Sequence, residues 1–113
     1  MKVSELTGAA LDWAVAKCEG NLPKGYSFDR ARHGYSCNWA QGGPIIEREK
    51  IGVWWAALVA LNDGEELGGH WYAERGYLEG NHVRVGPTPL IAAMRCFVAS
   101  CLGDEVNIPE ELK

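Results

Sequence analysis

The sequence has no surplus of basic charge: 11 Lys and Arg stand against 15 Asp and Glu, for a formal charge of −4. Gripping a phosphate backbone takes clustered cations that displace counterions, so nucleic acid is not an expected partner. A long apolar run is also missing. The longest, Val53–Leu61, has nine residues, less than half of what a helix needs to cross a bilayer. No apolar stretch of signal-peptide length precedes the first capped segment. The expectation is therefore a cytoplasmic protein that does not enter a membrane.

Metal-ligand spacing is absent as well. No Cys-x-x-Cys or His-x-x-x-His occurs, so neither zinc nor any other metal or cofactor is expected. The three histidines, His33, His70 and His82, fall on separate predicted elements without a Gly-x-Ser-x-Gly or Cys/His signature beside them. Each reads as a surface or hydrogen-bonded residue. The four cysteines, Cys18, Cys37, Cys96 and Cys101, read as reduced, mostly buried thiols of a cytosolic protein. Cys96 and Cys101 are five apart on a predicted helix, roughly 500° of rotation at about 100° per residue, and so point to different faces.

What is present is a helix with both ends written into it. Thr88 is placed to cap the first turn, Pro89 sits where a missing N–H costs nothing, and Gly103 supplies the positive φ that stops the run. The interior, Leu90 to Leu102, is almost wholly apolar apart from Arg95 and Ser100, so it must be covered on most sides. A first helix is predicted over residues 7–19, capped by Thr7 or, one turn earlier, by Ser4, and ended by Gly20. Leu11, Ala14, Val15 and Cys18 form its apolar stripe.

Between the helices the signals are those of a sheet. A short strand is expected around Tyr26 to Arg30, a loop at Asn38–Pro44 where two glycines permit positive φ, and a strand at Ile45–Ile51. Val53–Leu61 is open between buried strand and short helix, because its β-branched and aromatic start favours one and its alanines the other. Asn62-Asp63-Gly64 signals a turn, with a polar loop continuing through Gly69. Residues 70–75 alternate as a strand, Gly76–Asn81 turn again, and His82–Val85 form a last strand. Beyond the main helix, Val106 and Ile108 are expected anchors. The fold class is a single α+β domain over residues 1–113: a small, mainly antiparallel sheet of three to four strands packed with an N-terminal and a C-terminal α-helix.

Three segments carry a family likeness: Glu5–Ala16, Trp39–Glu49 and Gly86–Gly103. Together the chain resembles the NinX-like family, small uncharacterised proteins of tailed phages and prophages, and its last helical portion looks more distantly like phage domains described as an α-β-α sandwich. The resemblance implies a phage accessory protein working in the host-cell cytoplasm, with strands beside or between two helices. It brings no established activity and no catalytic residues.

Two segments offer binding chemistry. In the first, Trp39, Gln41, Gly42 and Gly43 precede Glu47, Arg48 and Glu49, so that Trp39 could stack on a planar group and Arg48 pair with its charge. Against this stand a simple chain reversal and a solvated strand face. In the second, the helix start at Thr88, flanked by Arg84 and by Arg95 two turns on, could hold an anion; against this, Thr88 only caps and the prolines only shape the turn. Five tryptophans are many to hide, and Trp54 and Trp55 point oppositely on a strand, which suggests a homodimer. The expected function is non-enzymatic binding of a host protein or a small anionic ligand, to modulate the host or blunt a defence. The alternative is a small enzyme acting on a phosphorylated metabolite or nucleotide, with Glu47 or Glu49 as base, since two carboxylates two apart on a strand share a face.

Overall fold

The C-terminal helix organises everything around it. The structure, a computed structural model, describes residues 1–20, 22, 33–59, 66–75 and 83–113. In α3 (Pro89–Leu102) the Thr88 hydroxyl oxygen accepts the Ile91 N–H at 3.1 Å, and Gly103 closes the helix at φ +86°. Every residue from Ala92 to Ala99 is buried. The cover comes from α1 (Gly8–Glu19), α2 (Trp39–Arg48) and a three-stranded antiparallel sheet in the order β1 (Ile51–Val59), β2 (Glu66–Arg75), β3 (Arg84–Gly86). The expected α+β class is what the chain adopts, with one helix more than expected.

The first helix follows its signals. Thr7 occupies the cap position, and Gly20, at φ +74°, returns its N–H to the Ala16 and Lys17 carbonyls. Ala10, Leu11, Ala14 and Val15 face the core. Asp12 is wholly buried beside them and accepts the Ser36 N–H at 2.8 Å, which pins the segment leading into α2.

Arg95 is the polar exception inside α3. Its Nε donates to the Leu6 carbonyl and its Nη1 to the Val85 carbonyl, each at 2.9 Å, so one buried guanidinium ties the chain before α1 to β3. Burial lowers its pKa from the ordinary arginine range. Val106 and Ile108 are buried anchors, and the Val3 N–H reaches the Asp104 carbonyl at 2.9 Å, fastening the two ends of the chain together.

Of the segment open at 53–61, the described residues 53–59 are strand: β1 pairs with β2, with Val53 opposite Ala73, Trp54 opposite Tyr72 and Trp55 opposite Trp71. Pairing along nine residues satisfies the backbone groups on the edge that faces β2, and the β-branched and aromatic side chains suit the pleat. β2 begins at Glu66, inside the expected polar loop, and β3 spans Arg84–Gly86, shifted from the expected 82–85. The strand expected at Tyr26–Arg30, the Asn62-Asp63-Gly64 turn and the Gly76–Asn81 turn lie outside the described residues.

The main correction is at residues 39–48, where a loop running into a strand is expected and α2 stands instead. Asn38 caps it, its side-chain oxygen accepting the Ala40 N–H at 2.9 Å. Gly42, Ile45 and Ile46 recur at helical spacing and turn inward. Pro44 removes one helical hydrogen bond, but on an exposed face. Gly42 is used for close approach: a Cβ there would lie 2.4 Å from the Tyr35 carbonyl oxygen and 2.7 Å from the Leu90 side chain. Packing on α3 outweighs the turn chemistry of Gly-Gly-Pro. The chain then reverses through Lys50, at φ +57°, into β1.

Candidate functional site

Trp39 is the first residue of α2, and it is 56% exposed. It faces the start of α3. Together with Ser36, Cys37, Thr88, Pro89, Leu90 and Ile91 it bounds a groove of about 360 Å³. The structure thus joins Trp39 and Thr88, which the sequence offers in two separate candidate sites. Two neighbours build the wall. The Gln41 side-chain carbonyl accepts the Gly34 N–H at 2.5 Å, and Gly42 lets α2 lie against Tyr35 and Leu90. Gly43 is half-buried behind the Trp39 ring.

The other sequence candidates lie elsewhere. Arg84 donates to Asp104 at 2.5 Å and to the Val83 carbonyl at 2.8 Å. Arg95 points inward at backbone carbonyls, and the Thr88 hydroxyl is engaged as a cap. The lining of the groove therefore carries no charged side chain among the described residues.

Arg48 belongs to a second cleft, of about 430 Å³, where the ends of α1, α2 and β2 meet α3. Its guanidinium binds both oxygens of Glu19 and, through Nε, Glu49 at 2.8 Å, and lies 5.8 Å from the centre of the Phe97 ring. Arg75 continues the chain, donating to Glu49 at 3.1 Å and to Ser100 Oγ at 2.8 Å. Hydrogen bonds from Arg48 to Glu19 and then Glu49 raise the arginine pKa further, so the group is permanently cationic. Because Arg48 is half-exposed, each such pair contributes about 0–1 kcal/mol; its effect is to fix the orientation of α2 rather than to stabilise it much.

The helix also undoes the paired carboxylates. At about 100° per residue, Glu47 and Glu49 diverge by roughly 200°. Glu49 enters the ion network, while Glu47 faces solvent. The strand geometry that would have set them side by side as acid and base does not exist.

Next to this network stand two thiols that the residue patterns did not bring together. Cys18 and Cys101 line the same cleft; burial, and then the neighbouring Cys101 side chain, push the Cys18 thiol pKa up. One signal could have found them: each stands two residues before the glycine that ends its helix, Gly20 and Gly103. Cys37 and Cys101 are exposed, against the expectation of mostly buried thiols, and Cys96 is buried.

On the sheet, Trp54, Tyr72 and Val85 stand in one row across the three strands. The Trp54 and Tyr72 rings stack at 5.7 Å and 13°. Trp54 is 41% and Val85 39% exposed, and Trp55, pointing the other way, is 48% exposed. Neither of the adjacent tryptophans is hidden within the described residues. No helix among those residues is long and apolar enough to cross a membrane, and no cluster of three metal-binding side chains occurs among them.

A family model described as "Bacteriophage P22, NinX" matches residues 2–101. No curated protein matches the chain.

Proposed function

The chain belongs to the phage NinX family, and from that premise we propose a non-enzymatic phage accessory protein that binds a host protein through the groove between the starts of α2 and α3. The observation that carries this reading is Trp39. An indole more than half exposed, at the wall of an uncharged groove, has the character of a binding hot spot, where a large aromatic surface gains most by desolvation. A small anion is the weaker ligand for the same groove. The arginines that would hold it, Arg48 and Arg84, are bonded to carboxylates, and the groove itself supplies none. In the host cytoplasm such binding would modulate the host or blunt a defence.

The test is in-cell crosslinking of the tagged protein during infection. Wild type and Glu47→Gln should capture one defined host protein, and Trp39→Ala should lose it at least about tenfold, the worth of a modest hot spot. Undiminished capture by Trp39→Ala would overturn the groove. Calorimetric binding of inorganic phosphate or a nucleotide would move the reading to the anionic ligand.

Self-association fits a different surface. The Trp54–Tyr72–Val85 row and a β1 strand with no charge in nine residues suit a second copy, since uncharged strands do not repel each other on pairing. Sedimentation equilibrium of wild type against Trp54→Ser reads this directly; a wild-type monomer at high micromolar concentration would end it.

A further inference from the structure

Cys18 and Cys101 have no part in groove binding, yet their placement is specific. Both line the cleft with Glu19, Arg48, Glu49, Arg75 and Phe97, and the Cys101 side chain is near enough to help raise the Cys18 pKa. Each sits in the last turn of its helix, and α1 packs on α3, so packed helical backbone holds both thiols. They also differ in access: Cys101 is exposed and Cys18 half-buried.

We propose that this pair is an oxidation site, at which a peroxide converts the two thiols to an intramolecular disulfide joining α1 to α3. The Cys101 thiolate, the accessible one, attacks a peroxide oxygen. The O–O bond breaks, one oxygen stays on sulfur as a sulfenic acid, and the other leaves with a proton as water. Cys18 Sγ then attacks Cys101 Sγ; the S–S bond forms as the S–O bond breaks, and the hydroxyl departs with the Cys18 proton as a second water. Two thiols and one hydrogen peroxide give one disulfide and two waters, the peroxide taking both electrons.

The order of events follows from the environment. The raised Cys18 pKa keeps that thiol protonated near neutral pH, so Cys18 is not the first attacker; in the second step it gives up its proton to the departing hydroxyl as it attacks. Around the pair stand Lys17 and Glu19 from α1, Arg48 from α2, Glu49 just after it and Arg75 from β2. The two arginines are bound to the carboxylates of Glu19 and Glu49, so the cleft is polar without a large charge of one sign. The remaining cysteines are internal controls. Cys37 lies at the Trp39 groove with its thiol on the Gly34 carbonyl, and Cys96 is buried within α3. In a reducing cytoplasm the pair stays open, and an oxidative burst closes it.

The experiment treats the folded full chain with a few equivalents of hydrogen peroxide, quenches, and maps peptides without reduction. Expected are a monomer lighter by two hydrogens, a Cys18–Cys101 linked peptide, loss of two of the four maleimide-reactive thiols after unfolding, and a rise in Tm reversed by dithiothreitol. Cys18→Ser should instead accumulate a Cys101 sulfenic acid that dimedone traps, and Cys101→Ser should lose the linked peptide altogether. Crosslinking only through Cys37 between molecules would overturn the proposal, as would dimedone trapping equal in wild type and Cys18→Ser. Peptide mapping of the wild type decides the matter even where a variant fails to fold.

Discussion

Gly42 and Gly43 are adjacent, chemically identical and read alike as loop residues, yet the structure requires their alanine variants to move stability in opposite directions. Both lie inside α2 and neither has a positive φ, so alanine gains the helix-propensity difference, about 1 kcal/mol, at either site. At Gly43 the nearest atom to a new Cβ is in the Trp39 ring at 3.9 Å, ordinary contact. Gly43→Ala should therefore stabilise by about 0.5–1 kcal/mol. At Gly42 the Cβ would stand 2.4 Å from the Tyr35 carbonyl oxygen. Leu90 can rotate away from the methyl, but a backbone carbonyl can yield only by shifting α2 off the chain beneath it. Overpacking of this kind costs about 1–3 kcal/mol or more, which outweighs the propensity gain. Urea unfolding followed by tryptophan fluorescence measures both variants, and for a chain of this size each kcal/mol moves Tm by about 4 °C. Two changes of the same sign, or two near zero, would refute the helix at 39–48 and restore the loop. Because Gly42 also supports the wall of the groove, its alanine variant should weaken partner binding, while Gly43→Ala should not.

Asp12 and Cys96 give two further tests. Asp12→Ala removes the acceptor of the buried Ser36 N–H and should cost about 1–3 kcal/mol; Asp12→Asn, which keeps an acceptor, should recover much of that in the same urea titration. Equal losses in the two variants would show that the hydrogen bond is not what matters there. Burial raises the Cys96 pKa in the folded state, so the unfolded chain ionises this thiol first. Its contribution to stability is complete below about pH 8.5 and falls above that by at most about 1.4 kcal/mol per pH unit. Unfolding curves between pH 7.5 and 10 should descend less steeply for Cys96→Ala than for wild type, and parallel slopes would contradict a desolvated thiol.

How much of the site was legible depends on whether its parts are near in sequence. Trp39 and Thr88 each stood out locally, one as an aromatic beside glycines and one as a helix cap. That they share a groove follows only from the docking of α2 on α3. Arg48 was legible as a cation before a carboxylate, but its partner Glu19, and the Arg75 that shares Glu49 with it, come from distant elements, and pairing turned a supposed ligand clamp into a brace. Cys18 and Cys101 are separated by most of the chain, and no local pattern measures the distance between two helix ends.

The sequence by itself determined the elements whose ends are chemical. α1 stops at Gly20 and α3 runs from Thr88 to Gly103 because caps, a first-position proline and positive-φ glycines act within a few residues of where they stand. It also determined the family likeness, and an apolar α3 that must be enclosed. Tertiary structure decided what local energies leave nearly balanced. Residues 51–59 became strand because β2 supplies a hydrogen-bonding edge, and residues 39–48 became helix because Gly42 and Ile45 could close onto neighbouring surfaces. Where turn chemistry and helix periodicity differ by only a few kcal/mol, the area buried on docking sets the outcome, and that area exists only once the chain has folded.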